Sequence, residues 1–359
     1  NCQMYESGYY AAYRHLLDED VDLVVHLGDY LYEYPFTIIP ERKVAPDHFL
    51  ETLADYRVRY GAYKSDKDLQ AAHHRYPFVC TWDDHEVANN YMGNFLPSDD
   101  PKAEEPKGIA RKTAAYKAWW ENLPTRLPAP TGSRLDVFQA VTVGDLFRLH
   151  ILDERQYSDL PPCRDTPTTA TDDFGDCDAR LGEDRDRLGK DQESWLTKSL
   201  EKGGVTWNLL GNPVVLAGVD GGTDRDQYYL DTWDGFPQAR KRLIQHLAKV
   251  DNPVVLTGDY HAGMVLDVRS EPFDQSSELV ATEFMAPPIS SVLFAADVSA
   301  RTPQLRQQIN AHGYLAVKVT PKTVTATFRC LDDVAKPDAT ISTKATWAVD
   351  AGKPQARKA

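Results

Sequence analysis

HLGDYLYEY, residues 26–34, follows the apolar run VDLVV at 21–25, so an acid, Asp29, closes what the pattern predicts to be a buried strand. The arrangement recurs. YPFVCTWDDHE (76–86) reads as a second buried strand ending in Asp83, Asp84, His85 and Glu86. LDVFQAVTVGDLFRLHILDERQY (135–157) reads as two strands around a Gly-Asp turn, the second ending in Asp153, Glu154 and Arg155. NPVVLTGDYHAG (252–263) is a strand ending in Gly258, Asp259, Tyr260 and His261. In α/β sheets ligands bind just beyond the carboxyl ends of the strands, so these polar strand ends predict one shared site.

Helical spacing separates these strands. It predicts helices at 5–18, 49–63, 66–74, 109–122, 192–202 and 235–250, with a further strand at 206–216 and a hairpin at 312–331. The alternation indicates an α/β layered fold, the late hairpin adding a mixed sheet or a sheet pair. No repeat is evident, nor any low-complexity tract. Residues 1–333 are expected to form one catalytic domain, and the polar stretch 334–359 a tail over its surface.

The 359 residues carry a formal net charge of −14, which argues against general nucleic-acid binding, since that needs a basic surface. No apolar run approaches the roughly 18 residues of a membrane span. Cys163 and Cys177 sit in a polar loop, 158–187, where a local disulfide and an oxidising compartment are the favoured reading. Cys80 and Cys330 lie in strand-like runs and are expected in the core. The chain opens at NCQMYES with no visible leader, and the expectation is that it begins inside a longer protein.

Taken singly, the strand-end residues have ordinary readings. Asp29 fits a helix or turn cap, Asp83–Glu86 an acidic helix start, Cys2 a free buried thiol, Tyr32 simple packing and Arg155 a surface ion pair. Together they are harder to dismiss. Carboxylates massed at one edge repel one another and raise their own pKa values unless cations bind there. Carboxylate oxygens suit calcium, magnesium or manganese. A phenolate such as Tyr32, three residues beyond Asp29, or a thiolate such as Cys2, suits a higher-valent iron better.

The blocks Gly28-Asp29-Tyr30-Leu31-Tyr32, strand-end DDHE and strand-end GDYH follow the order of metal-ligand blocks in the calcineurin-like metallophosphatases. In their particular forms (NCQ, HLGDYLYEY, TWDDHEVANN, LTGDYHAG) they resemble the alkaline phosphatase D (PhoD-like) family, and LDERQY and QESWL are similar to its intervening segments. The resemblance implies a four-layer fold with two mixed β-sheets sandwiched by helices. It implies a secreted phosphoric ester hydrolase using metal-activated water, with one ferric ion and one or two calcium ions, other divalent metals being able to substitute. By position, Cys2, Asp29, Tyr32, Asp84, Asp259 and His261 become metal ligands, Asp29 bridging. His85 becomes the group at the scissile phosphate or leaving oxygen, and Arg155 a clamp on phosphate. Asn89, Asn90 and Asn212 are further metal or phosphate contacts. Related secreted actinobacterial enzymes act as phospholipase D, so the substrate is a phosphate mono- or diester, with phospholipid at a membrane surface as one option. The strand that precedes Cys2 in that pattern is not in the sequence, so a separate N-terminal piece of the same protein is a further expected partner.

Two other classes compete. A calcium-dependent binding module needs neither His85 nor His261 nor the Tyr/Cys pair. A serine-dependent phosphatase needs a strand-end serine, for which there is no convincing candidate.

Overall fold

The computed structural model describes residues 1–99, 103, 106–163, 174–220, 228–294 and 296–359. In chain order the elements are α1 (Ala11–Leu16), β1 (Val24–Leu27), α2 (Leu53–Tyr63), α3 (Lys67–Arg75), β2 (Phe78–Thr81), α4 (Gly108–Asn122), β3 (Gln139–Val143), β4 (Phe147–Ile151), β5 (Phe174–Gly175), α5 (Gly189–Glu201), β6 (Trp207–Asn212) and β7 (Tyr228–Tyr229). There follow α6 (Pro237–Leu247), β8 (Pro253–Thr257), β9 (Gly263–Arg269), β10 (Leu279–Met285), β11 (Leu305–Ile309), β12 (Gly313–Val319), β13 (Thr323–Leu331), β14 (Ile341–Asp350) and β15 (Arg357–Lys358).

The central sheet has the order β11-β9-β10-β8-β6-β4-β3, parallel from β4 through β6 and β8 to β10, with antiparallel strands at both edges. β1 and β2 form a separate parallel pair, Val24 opposite Phe78 through Leu27 opposite Thr81. β12 to β15 form an antiparallel sheet. The expectation of two mixed sheets is thus refined to one mixed sheet, one parallel pair and one antiparallel sheet among the described residues, with the short pair β5–β7 beside them.

Three apolar clusters bind these layers. One joins Leu210, Val255, Met264 and Leu266 of the central sheet to Leu196, Leu243 and Leu247 of α5 and α6. A second joins Leu209, Val254, Val265 and Phe284 to Val324, Phe328 and Trp347 of the antiparallel sheet and to Leu27. The third packs Phe78 and Cys80 against aromatic residues of α1, α2 and α4, with Trp82 stacked on Tyr116 at 4.0 Å. The stacking is helix, sheet, sheet, helix, as the layered reading requires.

Helix ends follow their caps. Thr52 and Asp55 make a capping box at the start of α2, Asp66 accepts two backbone N–H groups at the start of α3, and Pro237 opens α6. The helix expected over 5–18 is confined to Ala11–Leu16. Upstream of it Tyr9 N donates to Val334 O at 2.8 Å, and a Cβ on Gly8 would lie 2.4 Å from Val334 Cγ2, so tertiary backbone contact overrides the helical spacing.

The polar tail expected from 334 onwards is corrected. β14 pairs along the length of β13, and Trp347 and Val349 are buried beneath the central sheet. Its alternating pattern is diluted by exposed Thr and Lys, which hid the strand. Cys80 and Cys330 are buried, and Cys163 and Cys177 form the expected disulfide. The middle of the 158–187 loop, residues 164–173, lies outside the described residues.

Candidate metal centre

The parallel strands β4, β6 and β8 end at one edge, and the β1–β2 pair brings its own carboxyl ends alongside. Two bonds fix this junction: Leu152 N donates to Gly211 O at 2.9 Å and Thr81 Oγ1 donates to Leu152 O at 2.9 Å. Gly28 is indispensable here. Its φ is +94°, and a Cβ would meet Asp83 Cβ at 2.4 Å, so only glycine lets the turn after β1 lie against the turn after β2.

Beyond these ends the backbone is unusual. Cys2, Asp29, Asp259 and His261, none of them glycine, all have positive φ (53°, 56°, 67° and 53°). Such conformations cost energy and persist only where surrounding contacts over-determine them. Here the contacts are visible. Glu86, pushed up to about 7 by burial, accepts from the backbone N–H groups of Asp29 (3.1 Å), Tyr30 (2.7 Å) and Asp83 (3.0 Å), pinning both turns to one carboxylate. Cys2 N donates to Gly28 O, while Ser290 and Ser291 donate to Cys2 O, each at 3.2 Å. The N-terminal segment is thereby stitched between the β1 turn and the loop after β10.

The side chains converge. Tyr32 Oη donates to Asp29 Oδ2 at 3.0 Å, lies 3.0 Å from His261 Nε2, and accepts from Ser291 Oγ at 2.7 Å. Potential ligand atoms of Cys2, Asp29 and His261 all lie within 4.8 Å of one another, as do those of Asp29, Asp84 and His85. Asp29 belongs to both groups. His261 Nδ1 is fixed at 2.7 Å from Val292 O, so Nε2 is the nitrogen turned to Tyr32. Burial, with the charge of His85, holds His261 down at about 4, a neutral imidazole suited to ligation.

His85 Nδ1 lies 2.7 Å from Glu33 Oε2, and Glu33 Oε1 accepts from Asn89 N at 2.7 Å. Burial opposes charge on His85, but Asp84, Glu33 and Asp29 outweigh it and raise its pKa well above the usual imidazole value. Burial likewise opposes charge on Asp84, yet His85, Arg155 and the Asn90 N–H bond hold it at about 2. Asp29 and Asp259 are pushed well up by burial and by neighbouring acids.

Arg155 is fully buried. Its Nε donates to Asp83 Oδ1 at 2.5 Å and its Nη1 to Asp231 Oδ1 at 2.6 Å. That burial overturns the surface ion pair, while Nη2, buried without a hydrogen-bond partner among the described residues, is the nitrogen a phosphate clamp would use. Asn212 is fully buried, its amide group donating to Val214 O. Asn89 and Asn90 enter through their backbone N–H groups, to Glu33 and Asp84.

These residues fit a metal. Asp29 Oδ1, Asp259 Oδ2 and Asn212 Oδ1 are buried without a hydrogen-bond partner among the described residues. Unpaired buried oxygens of this kind are costly unless a cation meets them. The set offers a thiol, a phenol, an imidazole and several carboxylates, hard and soft donors side by side, the first two ligating as anions when a metal displaces their protons. Sequence reasoning had not given roles to Glu33, Glu86, Asp83 or Asp231. Ser291 was not singled out; its bond to Tyr32 spans 259 residues and leaves no local signal.

A family model described as PhoD-like phosphatase matches residues 1–328. The chain is 37% identical over 363 residues to the alkaline phosphatase D of Bacillus subtilis (strain 168), a match that covers 97% of this chain and 60% of that protein. A solved structure described as "Structure of PhoD" aligns with a TM-score of 0.88 at 34% identity, covering 99% of this chain and 70% of that one. The chain thus spans 60% of the length of the curated relative it matches.

Proposed function

The chain belongs to the PhoD-like phosphatase family, and from that premise we propose that it is a metal-dependent hydrolase of phosphoric esters, mono- or diester. The observation that supports it most is the convergence of two ligand groups on Asp29, with the His85–Glu33 pair beside them. Cys2, Asp29, Tyr32 and His261 would hold one ion, and Asp29, Asp84 and Asp259 a second, with Asn212 completing it. The thiolate–phenolate set favours ferric iron for the first position, and the oxygen-only set calcium for the second.

When bound, the metals supply a polarised water and a positive field for the phosphoryl oxygens. The protein's own residues do the rest. Hydrolysis breaks the phosphorus–oxygen bond to the leaving group and forms one to a water oxygen, so the leaving oxygen needs a proton. In this reading His85 gives it: Glu33 holds Nδ1, leaving Nε2 for the substrate. Ser291 and Asp29 orient the Tyr32 hydroxyl from two sides. Arg155 fixes Asp83 and Asp231 through Nε and Nη1.

The Cys163–Cys177 disulfide supports an oxidising, secreted setting. Among the described residues no helix is long and apolar enough to cross a membrane. Elemental analysis of the purified protein, paired with hydrolysis of a phosphate monoester and a diester, tests this reading. Bound iron with a visible absorption band and turnover of at least one ester class is expected. A colourless, iron-free but fully active preparation removes Cys2 and Tyr32 from the metal site.

A further inference from the structure

Most large apolar side chains are buried, yet Phe49 is 59% exposed and Phe294 is 42% exposed, the first on a segment that adjoins His85 and the second on one that adjoins His261. On the His85 side a run of rings leads outward from the candidate ligand Tyr32: His85 at 4.0 Å, then Tyr34 at 5.5 Å from His85, then Phe49 at 6.0 Å from Tyr34. On the His261 side, Phe294 N donates to His261 O at 3.2 Å, and the Phe294 ring stands edge-on to Tyr260 at 5.0 Å.

The segment that carries Tyr34 and Phe49 is held rigid from beneath. The fully buried Arg59 donates to the carbonyls of Tyr32, Tyr34 and Pro46, Glu6 accepts from Phe36 N at 2.8 Å, and Leu50 N donates to Glu33 O at 2.8 Å. Five backbone anchors hold solvent-facing rings in place beside a proton donor. Apolar surface fixed next to a site, rather than scattered, marks a place where apolar ligand surface is buried.

Resting on the function proposed above, we infer that Tyr34 and Phe49 form an apolar collar that binds the hydrocarbon part of the substrate's leaving alcohol. The occupant follows from the order of the rings. His85 protonates the leaving oxygen, so what is attached to that oxygen must extend past His85, and the next surfaces outward are Tyr34 and Phe49.

The test uses the metal-loaded full chain and soluble esters below their micelle concentrations: butyl and hexyl phosphate, and dibutyl and dihexyl phosphate. The leaving alcohols are almost equally acidic, so the ratio of kcat/KM between hexyl and butyl reads apolar contact alone. A fully buried methylene is worth about fourfold, so two methylenes on a half-open collar should give roughly fourfold in total. Phe49→Ser should bring the hexyl-to-butyl ratio close to one, and Phe294→Ser, on the His261 side, should leave it unchanged. The affinities of butylphosphonate and hexylphosphonate, read by calorimetry without turnover, should follow the same pattern. A ratio near one in the unaltered protein, or a ratio unchanged by Phe49→Ser, overturns the collar. Failure to hydrolyse any ester while the phosphonates still discriminate overturns the proposed reaction and leaves the collar standing.

Discussion

Glu33 Oε2 lies 2.7 Å from His85 Nδ1, and its other oxygen accepts from the N–H of Asn89, four residues beyond that histidine. One carboxylate therefore fixes both the ring of His85 and the turn that carries it. Only 2% of the Glu33 side chain is exposed, so the pair is shielded from water and cannot be replaced by solvent. Glu33→Gln should lower kcat by about tenfold, and Glu33→Ala by roughly a hundredfold, because the imidazole loses its orientation and its stabilised proton. KM and metal content should stay close to those of the unaltered protein. Steady-state kinetics beside elemental analysis checks this; loss of bound metal in Glu33→Gln would place Glu33 in the ligand set instead.

Asp29 predicts a crossing of stabilities. It is 1% exposed, carries an unpaired Oδ1, and is pushed up by burial and by Asp84, Asp83 and Glu86. Stripped of metal, the protein should gain about 1 kcal/mol from Asp29→Asn, which removes one mutually repelling carboxylate. With metal present, the same substitution should lose stability, because the stabilisation that a bound ion gives the native state disappears. Thermal melts of both proteins, with and without chelator, give the four values needed. Identical chelator shifts in the two proteins would show that Asp29 does not hold the ion.

The sequence carries the candidate ligands but not their supports. Asp29, Asp84, Asp259 and His261 were legible because each ends an apolar strand, a local pattern. The Asp29–Glu86 and Asp83–Arg155 contacts arise from turns that meet only when β1 pairs with β2 and β2 abuts β4, which no local periodicity encodes. For the same reason the burial of Arg155 was not legible: a strand-end arginine has the chemistry of a phosphate clamp, and only the packing of Asp83 and Asp231 around it shows that two of its nitrogens are taken by internal carboxylates. β9, β10 and β11 escaped notice because the segments are buried on both faces or bulged, so the two-residue alternation is lost. The segment 334–359 looked like a tail because β14 exposes Thr343 and Lys344 at its start.

Arg155 separates the two roles. Its removal leaves Asp83 and Asp231 buried and unpaired, so Arg155→Ala should destabilise the fold by roughly 3–5 kcal/mol. Urea denaturation of the folded variant would measure this. Asp231→Asn keeps a hydrogen-bond acceptor for Nη1 and should cost less. A stable Arg155→Ala variant with a raised KM alone would restore Arg155 to the substrate.

Acid sensitivity should have a source far from the metals. His150, on β4, is fully buried, with Nδ1 3.3 Å from Leu209 O and Nε2 3.0 Å from Ser199 Oγ. Burial, assisted by the charge of Arg148, lowers its pKa to about 4, although the bond to Leu209 O opposes this. In the unfolded chain it titrates near 6.5, so between those values the unfolded state binds more protons and stability falls as the pH falls. The contribution is fully present above about pH 6.5 and is lost as the pH drops towards 4. Between pH 7 and pH 4.5 this one residue should account for about 2 kcal/mol. His150→Gln cannot titrate but can still reach one of the two partners. Its stability, measured by urea denaturation of metal-free protein at both pH values, should fall by about 2 kcal/mol less than that of the unaltered chain. With metal removed from both samples, the ligand carboxylates titrate alike in the two proteins and cancel from the difference. Parallel losses in the two proteins would mean that His150 is already protonated in the fold and that the acid response originates elsewhere.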